Sequence, residues 1–253
     1  MATEYVTSIS KNSIKHQLVV IMPAYNEAEH ILSNLLKAAN IIESFQNDFS
    51  IIAVNDGSSD ATKDKIIEAS KMNPHIEYIS YSDNRGKGGA IKEGVRLANG
   101  DFIAFLDSDL ELPPIMLKSF LHELVSQDAH VAIGSKLHKD SKLQYPLIRR
   151  FMSTGYYIML KLMFKLKIKD TQTGIKLFRQ EVIKPICSNL ITTGFAFDIE
   201  ILATASKKGY KIIEMPITLN YSRERKEKSR MTLSTILKVF KDTLTIKKHI
   251  KNI

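Results

Sequence analysis

Phe102-Ile103-Ala104-Phe105-Leu106-Asp107-Ser108-Asp109-Leu110-Glu111 decides the fold class of this chain. Five apolar residues in succession read as a strand buried on both faces, as in a parallel sheet covered by helices. The strand ends abruptly in carboxylates spaced two apart, and Pro113 and Pro114 stop it from continuing. In open α/β sheets, ligands bind at the carboxyl ends of the strands. Aspartate oxygens suit a hard cation such as Mg²⁺ or Mn²⁺, which bridges to phosphates rather than being caged by protein. Taken alone, the triplet supports two readings about equally: a metal-assisted nucleotide site and a solvated acidic turn.

The flanking sequence repeats the pattern. Leu18-Val19-Val20-Ile21-Met22 predicts a buried strand, followed by Pro23-Ala24-Tyr25-Asn26-Glu27 and a helix with Ile31, Leu35, Leu36, Ala39 and Ile42 on one face. Ser50-Ile51-Ile52-Ala53-Val54 predicts the next strand, ending in Asn55-Asp56-Gly57-Ser58-Ser59-Asp60, with Asp60 as N-cap of a helix reaching about Lys71. Ile76–Tyr81 makes a third strand, and Asp83-Asn84-Arg85-Gly86-Lys87-Gly88-Gly89 leads into a helix ending near Leu97. Strand and helix alternate up to the acidic triplet, the order of a parallel sheet with right-handed crossovers. Polar motifs therefore follow each of the first strands at one sheet edge, which shifts the balance toward a nucleotide site.

Each loop has a chemical task open to it. Tyr25 offers a ring for stacking, while Glu27 and Asp56 offer acceptors to a base or ribose; a turn aromatic and a capping carboxylate are the bland alternatives. Gly86, Gly88 and Gly89 precede a helix, where free N–H groups and the helix dipole favour an anion. Close packing explains the same glycines. The spacing is not that of a Walker A loop, nor does Gly-x-Gly-x-x-Gly follow the first strand, which argues against a dinucleotide-binding domain.

The 253 residues, 44% hydrophobic, suffice for one large or two small domains. A single cysteine, Cys187, excludes an internal disulfide and a cysteine-based zinc site, and suits a reducing compartment. The net charge of +9 is uneven: residues 1–135 hold 11 Lys and Arg against 18 Asp and Glu, residues 136–184 hold 12 against 3, and residues 207–253 hold 13 against 4. Such basic segments meet phosphates of nucleotides, nucleic acid or anionic lipid, or form a solvated face. Residues 1–16 read as a polar leader without a secretory pattern, and no run is apolar enough to span a bilayer.

Pro23–Glu27, Val54–Asp60, Asn84–Gly88 and Asp107-Ser108-Asp109 together resemble the inverting family 2 glycosyltransferases of GT-A fold. Asp170-Thr171-Gln172-Thr173-Gly174-Ile175-Lys176-Leu177-Phe178 and Phe195-Ala196-Phe197-Asp198-Ile199-Glu200 narrow the resemblance to dolichyl- or polyprenyl-phosphate glucosyl- and mannosyltransferases. The resemblance covers residues 17–231: a nucleotide-sugar half, 17–135, and an acceptor half, 136–231. It implies a Rossmann-like, mainly parallel α/β sheet flanked by helices, and a divalent metal (Mg²⁺ or Mn²⁺) on Asp107, Asp109 and Glu111. Where relatives often carry Gln, this chain has Glu111. Donor contacts are implied for Pro23, Ala24, Tyr25, Asn26, Glu27, Val54, Asp56, Asn84, Gly86, Lys87, Asp107, Ser108 and Asp109. Asp198, Asp109 and Gln172 are the implied catalytic residues, with Asp198 and Gln172 placing sugar and acceptor.

The second half fits a lipid-linked acceptor. Residues 145–169 are apolar but dotted with Lys161, Lys165, Lys167 and Lys169, the profile of a helix lying in a membrane interface; a core helix is the alternative. Arg149 and Arg150 near its start suit an acceptor phosphate. Val131–Ser135 and Tyr210–Leu219 read as strands, and 221–231 as a charged loop. The resemblance implies that Arg223, Arg225 and Arg230 there meet the diphosphate, although the Gly-x-Ser-Lys or Gly-Ser-Lys ending of relatives is here Ser229-Arg230. Residues 232–253 form a basic amphipathic helix that docks on the domain or lies on anionic lipid.

The expected activity is hexosyl transfer with inversion from a nucleotide-sugar, UDP-glucose before GDP-mannose, to dolichyl or polyprenyl phosphate. It is expected on the cytoplasmic face of a membrane with an anionic surface, and without nucleic acid as partner, because basic–aromatic interleaving is weak. Alternatives are a family 2 enzyme with another glycan acceptor, a sugar nucleotidyltransferase and a non-catalytic peripheral module.

Overall fold

Alternate residues of one strand feed two separate cores. Along His16–Ala24 (β2), Val19 and Ile21 enter one hydrophobic cluster while Leu18, Val20 and Met22 enter another, all at most 1% exposed. A strand buried on both faces needs an unbroken apolar run, which this one has. The computed structural model describes residues 5–9, 15–143, 163–164, 166, 168–194, 196–219 and 233–251.

Parallel to β2 run Phe49–Asp56 (β3) on one side and Gly100–Leu106 (β5) on the other, and Ile76–Tyr81 (β4) continues beyond β3. The polar loops after all of them open at one edge, as expected. Helices Ile31–Glu43 (α1), Thr62–Met72 (α2) and Met116–Ser126 (α4) cover one face; Lys87–Leu97 (α3), Gln180–Ser188 (α5) and Phe197–Lys207 (α6) cover the other. Two layers of helix around one sheet is the expected α/β class.

The sheet is wider than the sequence suggested. Its order is β1-β4-β3-β2-β5-β8-β6-β9, with Tyr5–Thr7 (β1), Val131–Ser135 (β6), Ile175–Arg179 (β8) and Ile212–Pro216 (β9). Part of the leader is thus an edge strand: β1 pairs antiparallel with β4, and Thr7 Oγ1 donates to the Tyr78 carbonyl. The run 210–219 is split, because Pro216 ends β9 and Thr218–Leu219 (β10) pairs instead with Lys142–Leu143 (β7).

β8 is antiparallel to both β5 and β6. Leu106, the last residue of β5, therefore faces Ile175, the first of β8, so the segment 170–174 enters at the edge where Asp107 leaves. The helix Leu233–Lys251 (α7) packs on α6 through the fully buried Ile246 and the nearly buried Ile250, and Lys207 Nζ donates to the Ile250 carbonyl. Of the two amphipathic helices expected in this half, residues 145–162 lie outside the described residues, and α7 docks on the domain, one of the two placements expected for it. No helix among the described residues is long and apolar enough to cross a membrane.

Candidate active site

The first two loops are stitched to each other. Asn26 adopts φ 54, its N–H donates to Ser58 Oγ and its Oδ1 accepts from the Ser59 N–H. Asp60 lies one residue before the N-cap, Ala61, which corrects the expected cap. Its Oδ1 accepts from the Thr62 N–H and its Oδ2 from the Ala28 N–H. Against the cost of its burial, the Thr62 hydroxyl, which also donates to Oδ1, and then those N–H groups hold the Asp60 carboxyl below the ordinary range. Tyr25 stands out at 46% exposure, a ring available for stacking.

Two expected donor contacts face inward. Val54 is fully buried in β3 and packs in the core, because it precedes the strand's end by two residues. Asp56 is 3% exposed and its Oδ1 accepts from Tyr81 Oη and the Arg85 N–H, both at 2.8 Å. Burial, then the adjacent Asp56 charge, pushes the Tyr81 hydroxyl far up, so it stays a donor. Asn84 Nδ2 donates to the Asp56 carbonyl. Asp56 thus shapes the β4–α3 loop.

The glycines of that loop serve close packing. A Cβ on Gly86, which has φ +79, would lie 2.7 Å from the Thr193 carbonyl oxygen, and one on Gly88 would lie 2.7 Å from Phe197 Cβ. The Gly89 N–H donates to the Thr193 carbonyl at 3.2 Å, so this donor of the helix terminus is already used. Glu200, 2% exposed, accepts from the Ile191 and Thr192 N–H groups and from Thr192 Oγ1. In this way α6 fixes the 190–194 segment, and that segment buttresses the start of α3.

What α3 presents at the edge is Lys87. Its Nζ lies 2.5 Å from Asp107 Oδ1. Burial works against its charge, but Asp107, Asp198 and Asp109 together raise its pKa. Asp107 leaves β5 against the 170–174 segment so closely that a Cβ on Gly174 would lie 2.2 Å from its Oδ2. Asn34 Nδ2 on α1 donates to the carbonyl of Ser108, which is itself buried. Leu110 takes φ 53, a costly conformation for a large side chain and one found at functional turns. That turn brings the Glu111 N–H to Asp109 Oδ1 at 3.1 Å and leaves Glu111 exposed.

The expected third metal ligand is not met. Among the described residues no group of three His, Cys, Asp or Glu side chains is placed to hold a metal, so Glu111 does not complete a cage with Asp107 and Asp109. The pair alone fits a cation such as Mg²⁺ or Mn²⁺: two hard oxygen donors on one open strand end, with Asp107 still 36% exposed, and phosphate oxygens left to complete the shell.

Across the cleft, Asp198 projects from the first turn of α6 and is 7% exposed. Its Oδ1 lies 2.7 Å from Nζ of Lys176, a residue on β8 that is 2% exposed. Burial raises the Asp198 pKa, Lys176 and then Lys87 oppose the rise, and Asp107 adds to it. Gln172 is half-buried on the same segment, its N–H held by Asp170 Oδ1. Sequence reasoning missed Lys176; the signal was a lysine inside Ile175-Lys176-Leu177-Phe178, where the neighbouring residues are core. Arg149, Arg150, Arg223, Arg225 and Arg230 lie outside the described residues. Cys187 is buried, which pushes its thiol up and makes it a packing residue.

Comparison with known proteins bears on the family and the fold. The family model described as glycosyl transferase family 2 matches residues 19–187. A dolichyl-phosphate beta-glucosyltransferase of Saccharomyces cerevisiae is 31% identical over 250 residues, covering 91% of this chain and 74% of that protein. One from Trichomonas vaginalis is 30% identical over 238 residues, covering 90% and 72%. Among solved structures, glucosyl-3-phosphoglycerate synthase from Mycobacterium tuberculosis, in complex with Mn²⁺, uridine-diphosphate and glucosyl-3-phosphoglycerate, superposes with a TM-score of 0.68 at 16% identity, covering 94% of this chain and 81% of that one. That likeness concerns the fold. By fold, motif order and sequence, the chain belongs to glycosyl transferase family 2.

Proposed function

We propose that the protein transfers glucose from UDP-glucose to a dolichyl or polyprenyl phosphate, with inversion at the anomeric carbon, on the cytoplasmic face of a membrane. The observation that carries this reading is the agreement of relatives named dolichyl-phosphate beta-glucosyltransferase over about nine-tenths of the chain, at 30–31% identity. Its site suits the chemistry. Tyr25 and Glu27 flank the nucleoside, and Asp107 and Asp109 stand at the diphosphate. A divalent metal bound there supplies charge neutralisation to the departing nucleoside diphosphate.

The acceptor phosphate is already anionic at neutral pH, its second pKa being near 6. It attacks the anomeric carbon without a strong base, and the task left to the protein is placement and electrostatics. Asp198 and Gln172 place acceptor and sugar opposite Lys87. On the sequence alone, we assign Arg149 to the acceptor phosphate and Arg223, Arg225 and Arg230 to the diphosphate.

Isothermal titration of the purified protein with UDP-glucose and with GDP-mannose, each with Mn²⁺ and with EDTA, tests the donor. Binding of UDP-glucose only with metal, followed by radiolabel transfer to dolichyl phosphate, is expected. Metal-dependent binding of GDP-mannose instead would reassign the sugar, and transfer only to a non-lipid glycan would overturn the acceptor.

A further inference from the structure

A lysine almost wholly withdrawn from water is costly unless its charge is matched, so Lys176 needs a reason to be where it is. It sits on β8 between Ile175 and Leu177, both fully buried, and is 2% exposed. Its Nζ makes two contacts, donating to the Thr173 carbonyl at 2.5 Å and lying 2.7 Å from Asp198 Oδ1. Thr173 is itself anchored by its hydroxyl on the Gly134 carbonyl of β6. The ammonium is thus fixed from the sheet, and Asp198 is the side chain it meets in the cleft. On the far side, Lys87 pairs with Asp107, and carboxylates and ammoniums alternate from the acidic strand end to β8.

We propose that Lys176 is a positioning residue for the transfer step, fixing the Asp198 carboxylate against the sheet so that it meets the acceptor in one orientation. This rests on the reading of Asp198 as the residue that faces sugar and acceptor. Lys176 never touches substrate; it acts through Asp198, and a misplacement of about 1 Å in such a group costs on the order of 10²-fold in rate. A lysine held only for stability would affect melting and not the split between binding and turnover.

The test uses the full chain with UDP-glucose, Mn²⁺ and a short-chain polyprenyl phosphate, and compares K176M, K176Q, K176R, D198N and K176M/D198N. The expected result is a fall in kcat of about 10²-fold for the neutral variants with the UDP-glucose Kd within about twofold, and partial rescue by K176R. The double variant is expected to be no slower than D198N, since both remove one device. Asp198 is faced by Lys176 from β8, Lys87 from α3 and Asp107 from the end of β5. Loss of Lys176 leaves it one cation fewer, so the acid limb of kcat moves to higher pH in K176M.

Folded K176M with wild-type kcat, or losses that multiply in the double variant, would overturn the proposal. So would failure of both neutral variants to fold while K176R folds, which marks a purely structural pair. Full activity in D198N would instead sink the underlying reading of Asp198.

Discussion

At the scale of single residues, the strongest constraint is on Asp107, whose carboxylate is held by Lys87 on one oxygen and crowded by Gly174 at the other. Gly174→Ala puts a methyl 2.2 Å from Asp107 Oδ2, so the carboxylate must leave its place. The expected outcome is loss of metal-dependent UDP-glucose binding in titration with a change in melting of only about 1–3 kcal/mol equivalent. Unchanged binding would show that this orientation of Asp107 is not the working one. Asp109→Ala removes the second donor and is expected to lower Mn²⁺-dependent turnover by at least about 10²-fold, while the melting temperature stays near wild type. Activity that persists undiminished would take Asp109 out of the metal site. Asp107 and Asp109 were legible in the sequence because acidic residues ending an apolar run can only lie at a strand's end. Val54 and Asp56 were legible as position but not as direction: both sit at the end of β3, yet alternation along the strand and the Tyr81 hydroxyl turn them inward.

At the scale of elements, the four parallel strands could be read directly: burial on both faces forces apolar runs at β2, β3 and β5, and the alternation of strand and helix places β4 between α2 and α3. The second half was harder. β8 looks like any short apolar strand, and nothing local says that it runs antiparallel between β5 and β6. That reversal is what brings 170–174 to the metal edge. The polar β1 was illegible because an edge strand needs only backbone pairing and one covered face. The link between α6 and α3 was also hidden, since it runs through backbone groups of 190–194 gathered by Glu200. Glu200→Ala leaves those buried donors without their acceptor, at roughly 3 kcal/mol in sum. In a chain of this size the melting temperature should fall by about 6–12 °C. Amide exchange should accelerate first at Thr192 and Gly89 if the segment is the support of the glycine loop. Exchange that rises uniformly over the chain would mean that Glu200 stabilises the fold without holding that loop.

At the scale of the whole molecule, charge is divided between the halves that would meet donor and lipid. The front half, residues 1–135, is acidic, and the two segments 136–184 and 207–253 carry the basic excess. A nucleotide-sugar and its metal are drawn to the carboxylates at the strand ends, while a lipid phosphate at an anionic bilayer would be met by lysines. α7 shows how one chain end serves both ends: Thr243, Ile246 and Ile250 are buried against the domain, and Lys241, Leu244, Thr245 and Lys248 point to solvent. An exposed leucine between lysines is the arrangement that adheres to a headgroup layer. Each basic side chain near such a surface contributes about 1 kcal/mol, so reversing both in Lys241→Glu/Lys248→Glu should weaken binding to phosphatidylserine-containing vesicles by at least about thirtyfold. Sedimentation with vesicles at low and high salt measures this, and wild-type binding should fall as salt screens the attraction. Transfer to a detergent-solubilised polyprenyl phosphate should survive the double reversal, because neither lysine belongs to the cleft. Vesicle binding that ignores both the reversal and the salt would mean that α7 merely closes the domain, and that the bilayer is met by another part of the basic half.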